Sequence, residues 1–304
     1  MHRDVRCARN KPGGTRRHAG NHVHLTGLQS GHPRGVVVDN DDLDAFRMAQ
    51  ISPIVGVFLG DEADAHFNFF EHIRSGADRG VRVRLLLDDI FTSGYDAGMA
   101  ALHAHPNFEI RIFNPFNRGG LGAAVSAVTN FSRINRRMHN KSFTIDNQAT
   151  IIGGRNIADE YFGARKDVNF GDLDVLTIGS AVNDVSSMFD LYWNHEASLP
   201  VPAFINAKHD TDADLQKLRD KLSKSDAEVA ASRYGEVVSA RAYDYLYSDN
   251  SVFTWAPYQL IYDTPNKGIK GRAAAEDLVK TRIRGELLSA EKEILVISPY
   301  FVPM

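Results

Sequence analysis

The stretch His139-Asn140-Lys141-Ser142-Phe143-Thr144-Ile145-Asp146, followed by Gly153-Gly154-Arg155-Asn156, has the spacing H-x-K-x4-D-x6-G-G-x-N. On an extended segment, side chains two residues apart point the same way. His139 and Lys141 therefore sit side by side, an imidazole nucleophile next to a fixed cation. Attack on a phosphodiester needs that pair of groups. With each residue type at average abundance, the His, Lys and Asp spacing arises by chance roughly 0.03 times in a chain of this size. The two glycines and the asparagine lower that figure to on the order of 10⁻⁵.

These residues resemble the HKD signature of the phospholipase D superfamily. The flanks Asp78 to Asp89, His105 to Phe116, Phe131 to Phe162, Asp172 to Gly179 and Ile294 to Pro303 resemble its bacterial cardiolipin synthase branch. The resemblance covers roughly residues 50–304. It implies transfer of a phosphatidyl group through a phosphohistidine intermediate, with His139 as the attacking residue. Lys141 and Asn156 would hold the non-bridging oxygens, and Gly153 and Gly154 would let the backbone approach the phosphate. Asp146 fits the motif spacing or else caps a strand turn. Asp172, in Asp172-Leu173-Asp174, matches an aspartate that orients the histidine of an opposite half. Arg137, nearest the motif in the basic run Arg133, Arg136 and Arg137, is a candidate for the anionic headgroup, with a solvated surface face as the plainer reading. His66, His72, His103, His105 and His195 have no such context and read as surface or structural residues.

The resemblance also implies a single departure. Such enzymes carry two motifs in two similar halves, and this chain has one. The expected organisation is a disordered segment at 1–35 and a first phospholipase D-like domain at 36–204. A charged helical connector at 205–257 follows, and then the start of an incomplete second domain at 258–304. The implied substrate is an anionic, phosphatidylglycerol-like phospholipid, met by peripheral contact with a bacterial inner membrane. Nucleic acid is not expected in this reading. The alternatives are a phosphodiesterase of nucleic acid working as a homodimer that pools two histidines, and a catalytically dead half.

Composition bounds these readings. The chain has 304 residues, 43% hydrophobic, enough for a substantial core and about two domains. A net charge of −3 gives no global pull toward nucleic acid or anionic membrane. Cys7 is the only cysteine, so no intrachain disulfide or cysteine zinc site is expected. Neither a metal nor another cofactor is called for, because the chemistry needs only the imidazole and its cations. No apolar run is long enough to span a membrane, and no apolar segment follows Arg16-Arg17 to make a signal.

Periodicity predicts an α/β layered fold, a mainly parallel sheet flanked by helices. Strands are expected at Ile51 to Leu59, Val81 to Leu87 and Phe108 to Phe113. Helices at 62–78, with Gly80 in the C′ position, and near 94–104 would lie between them. The motif should occupy a strand pair, Lys141 to Asp146 and Ala149 to Gly153, turning at Asn147-Gln148. Leu173 to Ile178 reads as a strand and Val182 to Trp193 as an amphipathic helix. Beyond a charged helix in 205–232, strands are expected at Gln259 to Tyr262 and Ile294 to Val302, with a helix at Ala273 to Ala290 between them.

Overall fold

A computed structural model describes residues 65–89, 92, 95–115, 137–157, 161, 170–203, 211–230, 253–269 and 274–295. The expected strands at Ile51 to Leu59 and across 296–302 lie outside these residues, as do the segment 1–35, Arg133 and Arg136.

Helix α1 (Ala65–Asp78) leads into strand β1 (Val83–Asp88), and helix α2 (Asp96–His103) into strand β2 (Phe108–Phe113). The end of α1 explains Gly80. Its φ of 98° is left-handed, and Val81 N–H donates to the Gly76 carbonyl at 3.1 Å, closing a Schellman turn. Strands β1 and β2 pair in parallel from Val83↔Phe108 to Asp88↔Phe113. A crossover helix is what such a pair requires, and α2 supplies it. A short strand β6 (Ser198–Pro200) adds to β2 antiparallel, ending at a proline as an edge strand can.

The motif forms a second sheet from β3 (Ser142–Ile145), β4 (Ala149–Gly153) and β5 (Asp174–Ile178), all antiparallel. The α/β class holds, but pairing among the described strands is mixed rather than mainly parallel. One pair is parallel and three are antiparallel. The reason is local: a three-residue link from Ile145 to Ala149 can only reverse the chain, whereas parallel neighbours need a long crossover.

Helix α3 (Ser180–Trp193) follows β5. The first sheet is buried on both faces, so β1 reads as a continuous apolar run rather than an alternation. One face carries Val83, Leu85, Leu87, Ile110 and Ile112 against Ile73 and Ala77 of α1 and Met99 and Leu102 of α2. The other carries Leu86 and Phe113 against Val185, Met188, Phe189, Tyr192 and Trp193 of α3, together with Met138 from the motif segment. The second sheet shares both cores: Phe143 packs with the first and Ile152 with the second.

The charged helix α4 (Thr211–Ala230), in the segment expected as a connector, packs against α1 and α2. Leu215 and Leu222 are buried, Leu218 packs on the first core, and Arg219 pairs with Asp78 at 3.1 Å. Gln259 to Tyr262 forms no strand. Its apolar alternation is satisfied by packing, with Leu260 and Tyr262 on the second core. The following helix is shorter than expected: a 3₁₀ turn at Ala275–Asp277, then α5 (Val279–Ser289).

Candidate active site

One end of the second sheet collects most of the motif. Because β3 and β4 run antiparallel with Ser142 opposite Ile152, Lys141 and Gly153 emerge at the same end. Because Gly153 faces Asp174 across β4 and β5, Asp172 emerges there too. His139 is exposed at this end, and Lys141 Nζ donates to its backbone carbonyl at 3.1 Å. Burial pulls the Lys141 ammonium below the ordinary lysine range, and the carboxylates of Asp172 and Asp88 oppose that pull.

The glycine pair has a steric explanation within the protein itself. A Cβ on Gly153 would collide with Asp174, lying 2.7 Å from the Leu173 carbonyl oxygen and 2.8 Å from the Asp174 Cα. A Cβ on Gly154 would enter the Asp172 carboxylate, 2.7 Å from its Oδ2. The two glycines therefore admit the Asp172-Leu173-Asp174 segment to the site. Asp174 is in turn held by Arg155, whose Nε donates to it at 2.5 Å. Arg155 also donates to the Asp172 carbonyl at 3.2 Å, so it sets the course of the segment that carries the Asp172 carboxylate. Asn156 donates to the Tyr161 hydroxyl at 3.2 Å.

Two expected site residues are placed elsewhere. Asp146 sits at the opposite end of the hairpin. It and Asn147 have φ of 54° and 55°, and Gln148 N–H donates to the Ile145 carbonyl at 2.9 Å. Positive φ at both central positions is the signature of a type I′ turn, which favours Asp and Asn. Across β3, at about 3.3 Å per residue, Asp146 is more than 10 Å from Lys141, so it shapes the turn. Arg137 is not a surface cation for a headgroup. Its side chain is 2% exposed, and its guanidinium pairs with Asp88 at 3.1 Å.

Asp88 is the residue that sequence reading passed over. Besides Arg137, it accepts the Met138 N–H at 3.1 Å. The contact joins positions 50 apart in the chain, so no local pattern signals it. Asp263 is similar. Its carbonyl accepts from the Tyr192 hydroxyl at 2.5 Å and from Asn140 Nδ2 at 3.4 Å. Its carboxylate accepts the Val279 N–H at 2.8 Å at the start of α5 and pairs with Lys267.

Three of the other described histidines are structural. His103, His105 and His195 each use Nδ1 to accept a backbone N–H, from Ile110, Asn107 and Ala197 at 3.0, 3.2 and 3.2 Å. Among the described residues no cluster of three or more His, Cys, Asp or Glu could hold a metal ion, and no helix is long and apolar enough to cross a membrane.

Most of the motif residues thus gather at one end of a sheet within an α/β layered domain. Residues 49–193 match the family described as cardiolipin synthase, PLD-like domain. By that match residues 49–193 are similar to the phospholipase D-like domain of cardiolipin synthases. The chain is 36% identical to cardiolipin synthase C of Escherichia coli (strain K12), over 91% of this chain and 59% of that protein. It is 31% identical to a cardiolipin synthase of Clostridium perfringens (strain SM101 / Type A), over 46% of this chain and 27% of that protein. Phosphatidylserine synthase of Haemophilus influenzae Rd KW20 superposes on 63% of this chain and 41% of that one, with a TM-score of 0.36 and 12% identity. The chain thus spans little more than half the length of the Escherichia coli relative and a smaller share of the other two.

Proposed function

We propose that this chain supplies the nucleophilic half of a phospholipase D-type phosphatidyltransferase acting on phospholipid phosphodiesters. The observation that carries the reading is the exposed His139 with the Lys141 ammonium on its own carbonyl, in a domain of the cardiolipin synthase branch. In the first step the imidazole forms an N–P bond and the P–O bond to the headgroup breaks. The leaving oxygen takes up a proton. In the second step an acceptor hydroxyl attacks phosphorus, loses its proton and frees the histidine. In this reading Lys141 holds the negative charge on the non-bridging oxygens, and Asn156 is the second candidate donor. With a single motif in the chain, the proton for the leaving oxygen comes from a second histidine of the same kind, in a second motif or a second copy.

The substrate class is the one the resemblance implies: phosphatidylglycerol or a similar anionic phospholipid, met at a membrane surface. The purified chain, given vesicles of phosphatidylglycerol, should form cardiolipin and release glycerol, and His139→Ala should abolish both. Nicking of plasmid DNA with no lipid product would contradict the reading.

A further inference from the structure

Asn140 stands between the two motif side chains, and its own side chain is engaged by groups far from the motif in sequence. Alternation along an extended segment turns it to the side opposite His139 and Lys141. There its Nδ2 meets Met188 Sδ of α3 at 3.5 Å and donates to the Asp263 carbonyl at 3.4 Å. The same carbonyl accepts the Tyr192 hydroxyl at 2.5 Å. A carbonyl oxygen has two lone pairs, and these two donors occupy both. Asn140 is thus held against α3 by a backbone group that lies outside residues 49–193, the part matched to the phospholipase D-like domain.

The carbonyl is fixed from both sides. Before it, Leu260 and Tyr262 pack on the second core. After it, the chain closes into a loop. One oxygen of the Asp263 carboxylate accepts the Val279 N–H at 2.8 Å, and the other pairs with Lys267. Thr264 closes the same loop: its N–H donates to the Asp277 carbonyl at 2.9 Å and its hydroxyl to the Asp277 carboxylate at 2.7 Å. The Asp263 side chain is 16% exposed, and a carboxylate at the first turn of a helix is favoured by the helix dipole. Residue 263 therefore has little freedom to turn its carbonyl away from Asn140.

We propose that Asp263 is a positioning residue for the motif: the loop it closes presents its carbonyl to Asn140 and so holds the backbone between His139 and Lys141 against α3. Both motif side chains leave the chain next to Asn140, so a shift there moves nucleophile and cation together. Reacting groups keep their geometry when a supporting shell locks them, and here part of that shell comes from a segment well beyond the motif. Only the task of the held pair rests on the proposed function; the hold on Asn140 exists without substrate.

Two readouts on the full chain test this. The first needs no substrate: the side-chain amide resonances of Asn140 in a ¹⁵N–¹H spectrum. Asp263→Ala should move them to the position of a free amide. Asp263→Asn should restore them, because it keeps an oxygen for the Val279 N–H and releases only Lys267, which is 25% exposed, to water. The second is the burst rate with a phosphatidyl ester of 4-nitrophenol, which needs no general acid and so reports the His139 step alone. Asp263→Ala and Asn140→Leu should each slow it by about tenfold. The double variant should be no slower than either, because both break one path. Val182→Ala, in the core of α3, controls for simple loss of stability and should change neither readout. Unmoved Asn140 resonances in folded Asp263→Ala protein would overturn the proposal. So would a burst in Asp263→Asn as slow as in Asp263→Ala, a multiplied loss in the double variant, or an equal change in Val182→Ala. A wild type with no burst would contradict the proposed function, and the Asn140 resonances alone would then decide whether Asp263 holds the motif.

Discussion

At Lys141 two opposing effects meet, and their balance can be measured. Burial lowers its proton affinity, while Asp172 and Asp88 raise it. Asp172→Asn removes one of the opposing charges, so the Lys141 pKa should fall further, read by NMR titration of its Nζ. An unchanged titration would separate Asp172 from the cation. The stability consequence has a definite sign. A lysine whose folded pKa lies below its unfolded one is penalised at neutral pH, and the penalty is relieved as pH rises through that lowered value. Asp146 offers a second residue-scale test. Because its φ is positive, Asp146→Gly should hold or raise the melting temperature, whereas Asp146→Val should cost about 1–2 kcal/mol. The turnover of folded Asp146→Gly protein should match the wild type. A collapse of turnover there would return Asp146 to the catalytic set.

Between elements, the contacts that build the site are those that no local pattern carries. The β3–β4 hairpin, α1 with its C′ glycine and the amphipathic α3 were legible because their signals are periodic or adjacent. Gly153 and Gly154 were legible as glycines that admit a close approach, but the approaching group is the Asp172-Leu173-Asp174 segment. That partner emerges only once β5 pairs with β4. Asp88 and Asp263 were silent, since their contacts to Met138 and Asn140 span 50 and 123 positions. The same distance hid β6, three residues paired to β2. Asp263 ties α5 and α3 to the residue between His139 and Lys141. Tyr192→Phe removes the hydroxyl of that tie, and burial already holds this phenol protonated well above its ordinary range. The substitution should cost about 1 kcal/mol in denaturant unfolding, and Asn140 should lose order with it. A cost near zero would mean that the Asp263 segment is held by Leu260 and Tyr262 packing alone.

For the molecule as a whole, the charged helix α4 is part of the first domain's packing. Its ion pair from Arg219 meets Asp78, where partial burial is outweighed by Arg219 and Arg74, so the carboxyl sits below the usual carboxylate range. A depressed carboxyl contributes above its unfolded pKa and loses that contribution as pH falls through the folded one. Arg219→Ala should therefore flatten the acid limb of the stability–pH curve and leave the neutral region within about 1 kcal/mol. An acid limb identical to wild type would assign the helix's hold to Leu215, Leu218 and Leu222 alone. The central claim for the whole chain is that His139 attacks phosphorus. The most direct measurement uses a phosphatidyl ester of 4-nitrophenol, whose leaving group departs without a general acid, followed by mass spectrometry of the quenched protein. The account predicts a burst of 4-nitrophenolate and a phosphatidyl adduct on the peptide containing His139, absent in His139→Ala. Nitrophenolate release with no adduct, or an adduct on any other residue, would contradict it.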